Sequence, residues 1–177
     1  MWLKCTAVLA FVALTGSLRA NFIDINIASS RAQITSPAQL EALLADKSSI
    51  VLALEETPFP DTVPTKITKP GPTNVPNSIL VDGKQVPVKF PELGTKAELR
   101  PVTFADWGRA VKIDFHHKSI SVDEKGEIIV MGPLPVLFGV KVQGVVLNLR
   151  WDKWTFLAPM PQQDGSYAIL AMRLRRG

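Results

Sequence analysis

The sequence contains one cysteine, Cys5, and no Asn-X-Ser/Thr acceptor for N-glycosylation. A chain with a single cysteine cannot form an internal disulfide, even in an oxidising compartment. The chain has 177 residues, of which 46% are hydrophobic, and a domain of this size can bury an adequate core without covalent staples. We therefore expect packing alone to stabilise the fold.

Histidine is also scarce, because His116 and His117 are the only two. Neighbouring residues on a strand point to opposite faces, and no further ligands follow at a metal-binding spacing. We predict no metal, no cofactor and no catalytic residues, with the two histidines at a solvated hairpin end. The residual alternative is a hydrolase that uses His116 or His117, although no nucleophile-elbow motif accompanies them.

Basic residues do not cluster along the chain, and no glycine-rich phosphate loop is present. Lys and Arg number 20 against 16 acidic residues, a net charge of +4. Removal of Lys4 and Arg19 with the N-terminal segment leaves 18 basic residues and lowers this charge to +2. The sequence therefore predicts no nucleic-acid partner.

Residues 1–20 have the three parts of a secretory signal peptide, namely a short basic start, an apolar run from Cys5 to Leu14, and small residues before Ala20. The run is shorter than the roughly 20 residues of a transmembrane helix. We predict export to the secretory pathway, an extracellular or another extracytoplasmic compartment. The alternative is an uncleaved segment that anchors the chain in a membrane.

The stretch from Val136 to Trp151 shows the clearest alternation of apolar and polar residues. Apolar residues take even positions up to Val142 and odd positions from Val145, which predicts half-buried β-structure. The change of phase at Gly144 requires one extra residue to be absorbed, either in a glycine β-bulge or in a tight turn between two strands.

Local signals predict most of the remaining elements. Ser36-Pro37-Ala38-Gln39 is a capping box that begins a short helix ending near Asp46. Two-residue turns are predicted at Asp82-Gly83 and at Asp152-Lys153, the latter pairing Trp151 with Trp154. Further strands are predicted at 49–54, 111–115, 119–123, 128–130 and 167–175, with a loop at 124–126. The segment 95–99 allows a helical turn, and the segment 21–31 is either a first strand or a mobile tail.

These patterns predict a mainly β fold of eight or nine strands with one short N-terminal helix. A single antiparallel meander closes as a small barrel or as a two-sheet sandwich. We divide the chain into residues 1–20, a strand and helix lead-in at 21–56, a proline-rich strap at 57–76, and a β-domain core at 77–177. Residues 21–177 are expected to form one domain, in which the strap is an extended surface connection.

Two groups of residues are candidates for binding. Five aromatic residues either pack in the core or line an apolar pocket, as in small barrels that hold one ligand; they are Trp107, Phe138, Trp151, Trp154 and Phe156. The loop residues Leu134 and Leu137 and the tail residues Arg173, Arg175 and Arg176 are candidates for contact with a partner or a membrane surface.

The sequence thus favours a non-catalytic, extracytoplasmic binding or protein-interaction module. Its expected partner is another protein or an apolar ligand, with a possible membrane-surface contact. The alternative is a membrane-anchored accessory subunit of a larger complex.

Overall fold

A computed structural model describes residues 21–72, 77–90, 92–123, 125–132 and 134–177. The predicted signal peptide or anchor, residues 1–20, lies outside these ranges. The prediction of a mainly β fold is confirmed, because 61% of the described residues are in strands and these residues form one α-helix. Within the described ranges, no helix combines the length and the apolar character needed to span a bilayer.

The described residues form thirteen strands and one α-helix, α1. Their bounds are β1 Phe22–Ser30, α1 Pro37–Ala45, β2 Ile50–Pro58, β3 Thr65–Pro70, β4 Ser78–Val81, β5 Lys84–Pro87, β6 Gly94–Ala105, β7 Gly108–Ile120, β8 Val130–Met131, β9 Leu134–Pro135, β10 Leu137–Arg150, β11 Trp154–Phe156, β12 Met160–Pro161 and β13 Tyr167–Arg175. A single 3₁₀ turn at Lys47–Ser49 links α1 to β2.

The strands form two principal antiparallel sheets. The first has the order β11-β13-β1-β2, with β12 also paired to β13. The second has the order β10-β7-β6-β3, and two separate hairpins are formed by β4-β5 and by β8-β9. The main hydrophobic core contains side chains from both sheets, including Ile25 and Leu170 of the first and Ile113 and Val140 of the second. The two sheets therefore pack face to face.

The first sheet is covered on both faces, and we call it the covered sheet. Alternate residues of β13, such as Leu170 and Met172, enter the main core, while Ile169 and Ala171 point the other way. Ile169 and Ala171 pack against Leu40 of α1 in a second cluster. We call the second sheet the open sheet, because its outward side chains are largely polar and include Lys66, Lys96, His116 and Lys141.

The predicted topology is wrong in its number of strands and in their order. The described residues form thirteen strands rather than eight or nine, and of the two predicted closures the barrel is not formed by these residues. The chain is also not a single meander, because β1 lies between β2 and the last strand, β13. The segment 21–31, for which the sequence allows a strand or a tail, contains the central strand of the covered sheet. Its isoleucines Ile23, Ile25 and Ile27 are fully buried, which favours this position.

Several local predictions are confirmed. The strand β10 is continuous through Gly144, where its register with β7 shifts between Val142 and Val145. Gly144 has a φ of 68° and its amide donates to Asp114 Oδ1 at 2.8 Å, so the phase change is a β-bulge. The capping box of Ser36 and Gln39 is formed. Asp82-Gly83 joins β4 to β5, with both φ angles positive.

Other local predictions are wrong because long strands replace short hairpins. His116 and His117 lie within β7, a continuous strand of 13 residues, and not at a hairpin end. The helical turn at 95–99 is instead part of β6, paired with β7. Trp151 and Trp154 do not pair, because Trp151 forms a parallel bridge with Leu174 while β11 pairs with β13. The proline-rich strap, by contrast, is extended over Thr65–Pro70, where it forms β3 at the edge of the open sheet, a position compatible with the predicted surface connection.

Candidate functional site

A surface cavity of about 610 Å³ lies between the two small hairpins, and we call it the end cavity. Its apolar lining comes from the end of β5 and the residue that follows, from β9 and the start of β10, and from β12. The lining residues are Pro87, Val88, Lys89, Lys118, Leu134, Pro135, Leu137, Gly139, Pro161, Gln162 and Gln163. Drug-sized ligands bind in cavities of this size that combine apolar walls with a few polar groups.

The two hairpins beside the end cavity expose large apolar side chains. Leu134 of β9 is 66% exposed and Met131 of β8 is 60% exposed. On the other hairpin, Leu80 of β4 is 67% exposed. Exposed apolar residues concentrated next to a cavity mark a surface that is covered when a ligand or partner binds.

Hydrogen bonds to backbone groups hold the walls of the end cavity in place. The side chain of Gln162 accepts from the amide of Gly139 at 2.9 Å and donates to its carbonyl oxygen at 3.1 Å. The amide of Val136 donates to the carbonyl oxygen of Ile129 at 2.8 Å, which extends the pairing of the β8-β9 hairpin by one residue on each strand. The side chain of Gln162 therefore links the loop after β12 to strand β10 through two hydrogen bonds.

Two cations, Lys89 and Lys118, complete the lining of the end cavity. Among the described residues, neither forms an ion pair within 4.0 Å. The two lysines give the lining of the cavity a net positive charge, because no acidic residue belongs to it. The arrangement is suited to an apolar chain or side chain that carries a negative group at one end.

The five aromatic residues that the sequence allows as the lining of a pocket lie in different parts of the structure. Phe138 is buried in the main core, where its ring meets the imidazole of His117 edge-on at 6.4 Å between centroids. Trp154 and Phe156 pack against the second cluster, beneath α1. Trp107 is 48% exposed. These residues do not converge on one pocket.

Trp151, the fifth aromatic residue, stacks with two arginines at the far end of β10. The guanidinium carbons of Arg109 and Arg176 lie 4.9 and 4.8 Å from the centre of its ring. Asp61 accepts two hydrogen bonds from Arg109, at 2.9 and 3.0 Å. These bonds hold the pKa of the Asp61 carboxyl below its usual value. A cavity of about 330 Å³ is lined by these residues together with Asp106.

Two of the three predicted tail contacts, Arg173 and Arg175, are engaged within the fold. Both guanidinium groups contact the carboxylate of Asp24, at 2.8 and 2.9 Å, and that side chain is 2% exposed. Arg173 also lies over the ring of Trp154 at 4.6 Å. The basic tail therefore neutralises a buried carboxylate of the covered sheet, in addition to any contact with a partner.

The two histidines lie on opposite faces of the open sheet. His117 points into the core, where its Nδ1 shares a hydrogen bond of 2.9 Å with Thr95 Oγ1. Its Nε2 is buried and has no hydrogen-bond partner among the described residues. Burial and the nearby charges of His116 and Lys69 lower the pKa of His117 to about 4. His116 is exposed on the outer face, beside Lys96 and Lys141.

Sequence reasoning found Leu134 and Leu137 but missed the rest of the end cavity. Its other walls come from residues next to turns, such as Val88 and Pro161, which carry no periodic signal. Gln162 lies in a short polar segment before Tyr167, where a glutamine is ordinary. Comparisons of the chain with protein-family models, with curated proteins and with solved structures gave no match.

Proposed function

We propose that this protein is a non-catalytic, extracytoplasmic binding module built on a two-sheet sandwich, with residues 1–20 as its export signal. Its ligand is an apolar chain with an anionic end group, held in the end cavity. The observation that carries this proposal is the position of Leu134, two-thirds exposed at the rim of a cavity of about 610 Å³.

The apolar walls supply the attraction for the chain of the ligand. Covering apolar surface contributes roughly 25 cal/mol for each Å² removed from water. Leu134 and Leu137 of the rim gain this energy only when something covers them. Pro87, Pro135 and Pro161 make the walls stiff, because proline fixes its backbone φ angle. A stiff cavity loses little conformational entropy when it binds a ligand.

The two lysines select the sign of the end group. A carboxylate placed between Lys89 and Lys118 gains charge-assisted hydrogen bonds. An ammonium at the same place meets two like charges. The site therefore discriminates between amphiphiles of equal length that differ only in the charge of the head group.

The test uses dodecanoate and dodecylammonium as probes, with binding to the purified protein followed by isothermal titration calorimetry. We expect dodecanoate to bind at least tenfold more tightly than dodecylammonium. Leu134→Glu and Leu137→Glu are each expected to weaken dodecanoate binding at least tenfold. Leu80→Glu is the matched control, because Leu80 is equally exposed on the other hairpin but does not line the cavity.

The proposal fails if neither probe binds, or if Leu80→Glu weakens binding as much as Leu134→Glu. Native mass spectrometry of the protein from its source supplies a second readout. A retained small apolar anion supports the proposal, whereas turnover of an ester that is abolished by His116→Ala or His117→Ala supports the residual hydrolase.

A further inference from the structure

We propose that the outer face of the open sheet is a docking surface for a linear sulfated polysaccharide. This face lies on β3, β6, β7 and β10 and is distinct from the lining of the end cavity, apart from Lys118. The basic side chains that project from it include Lys66, Lys96, Arg100, Lys112, Lys118 and Lys141. The opposing acidic side chains of the same rows are Glu98 and Asp114.

The strand register places Lys96 and Lys141 in one row, on either side of His116. Thr68 is opposite Lys96, Lys96 is opposite His116, and His116 is opposite Lys141. Neighbouring strands are about 4.8 Å apart, so this row crosses the sheet in roughly 14 Å. The row lies in a groove of about 510 Å³, which Lys66 and Gln143 also line.

The two acidic residues of the face are engaged. Glu98 accepts a hydrogen bond from Arg100 at 3.0 Å, and this bond holds the pKa of the Glu98 carboxyl below its usual value. Asp114 Oδ1 accepts from the amide of Gly144 at the β-bulge. Among the described residues, Lys66, Lys112 and Lys141 form no ion pair. These three lysines are free to bind an external anion.

Lys96 contacts the carboxylate of Glu92 in an exposed ion pair, so Lys141 is the cation of its row that has no acidic partner among the described residues. Lys66 and Lys112, which also form no ion pair among these residues, lie in the next two rows of the sheet. Sulfate groups spaced along a sugar chain can reach all three lysines at once, whereas a single small anion reaches one. Charge complementarity thus favours an extended polyanion over a single small anion.

The rest of the face favours a sulfated glycan over the other polyanions. Bases of single-stranded nucleic acids stack on aromatic side chains, and the residues lining this groove offer one benzene ring, that of Phe115, which is buried in the core. Insertion into a membrane needs exposed apolar side chains. The exposed large apolar residues of these strands, Val102, Phe104 and Val146, lie beyond the row of Lys96 and Lys141, toward the far end of β6 and β10.

The test measures heparin affinity as a function of salt concentration for two triple variants of equal charge. Lys66→Gln, Lys112→Gln and Lys141→Gln together remove cations from the face. The control changes the exposed lysines Lys47, Lys125 and Lys153 to glutamine, which lie elsewhere. We expect the face variant to bind heparin at least tenfold more weakly. Its slope of log affinity against log salt should fall by about three, roughly one for each lysine that no longer binds a sulfate group.

The control variant should retain heparin affinity within threefold. Equal weakening in both triple variants would show attraction by net charge alone and would overturn the proposal. So would tighter binding to single-stranded DNA or to anionic lipid vesicles than to heparin through the same three lysines. Dodecanoate binding is unchanged in the face variant, because none of its substituted residues lines the end cavity. Failure of this inference is therefore distinguishable from failure of the proposed function.

Discussion

The covered sheet and the open sheet differ in what their outward side chains meet. In the covered sheet, the outward residues Ile169 and Ala171 pack beneath α1, and Asp24 is buried between Arg173 and Arg175. In the open sheet, the outward residues Lys66, Lys96, His116 and Lys141 line a groove on the surface. The covered sheet is therefore buried on both faces, while the open sheet and the end cavity carry the surfaces that we propose bind ligands.

The largest change in the free energy of unfolding is expected for Asp24→Asn, which tests whether charged residues in the two sheets contribute differently to stability. Burial alone raises the pKa of Asp24, but hydrogen bonds from the Glu56 amide, Arg173 and Arg175 lower it further than burial raises it. Asp24→Asn leaves two cations without their carboxylate, and we expect it to lower the free energy of unfolding by about 3 kcal/mol.

The matched control for Asp24→Asn is Glu98→Gln on the open sheet. Its partner Arg100 has a side chain that is 51% exposed, and an exposed pair of this kind contributes below about 1 kcal/mol. Urea unfolding of both variants gives the comparison. Equal destabilisation of the two variants would remove the distinction between the sheets.

The next largest effect is a pH dependence of the free energy of unfolding, which distinguishes the two faces of the open sheet. His117, on the inner face, has a folded-state pKa of about 4, whereas an unfolded histidine has a pKa of about 6.5. The unfolded chain binds the proton first, so stability falls as the pH drops below about 6.5. We expect the free energy of unfolding to decrease by about 2 kcal/mol between pH 7 and pH 5, before the carboxylates titrate.

The control for this pH dependence is His116, exposed on the outer face. His117→Leu should abolish the decrease between pH 7 and pH 5, although it also lowers stability at every pH. His116→Leu should leave the decrease in place. Urea unfolding at both pH values measures the difference, and an unchanged pH dependence in His117→Leu would contradict the buried position of its imidazole.

A smaller decrease in stability is expected when the N-terminal cap of α1 is removed, because α1 packs over one face of the covered sheet. Ser36 Oγ accepts from the amide of Gln39 at 3.3 Å, and Gln39 Oε1 accepts from the amide of Ser36 at 3.1 Å. Ser36→Ala should lower the free energy of unfolding by about 1 kcal/mol. Thr68→Ala, on the outer face of the open sheet, should change it by less than about 0.5 kcal/mol. Thermal unfolding of the two variants ranks them, and the reverse order would contradict the role of α1.

The smallest expected effect is on the stability of the lysine variants of the open sheet. Replacement of Lys66, Lys112 and Lys141 by glutamine should leave the free energy of unfolding within about 0.5 kcal/mol or raise it slightly, since it removes like charges from one face. Urea unfolding at low salt measures this change. A large decrease in stability would show that these lysines serve the fold and not a ligand.

Periodicity predicts which residues face outward, but not which residues become neighbours. The alternation correctly places Lys112, Asp114 and Lys141 between buried positions. The groove depends on strand order, because Lys66 and Lys141 are far apart in the sequence and meet only when β3, β6, β7 and β10 align. No local pattern reveals such pairing.

The predicted hairpins illustrate the same limit. The turn at Asp82-Gly83 is correct, because the turn residues themselves favour positive φ angles. The turn at Asp152-Lys153 is wrong as a hairpin between β10 and β11, although Asp152 does have a φ of 57°. Tertiary contacts decide the outcome there, since Trp151 stacks with Arg109 and Arg176 and β11 pairs with β13 instead.

The division between a structural sheet and a binding sheet is tested most directly by lysine footprinting. The protein is acylated at low reagent concentration with and without heparin, and each lysine is then quantified by mass spectrometry. The account predicts that heparin protects Lys66, Lys96, Lys112 and Lys141, while Lys47, Lys125 and Lys153 remain equally reactive. Protection spread evenly over all lysines, or confined to Lys47 and Lys153 beside the covered sheet, would contradict it.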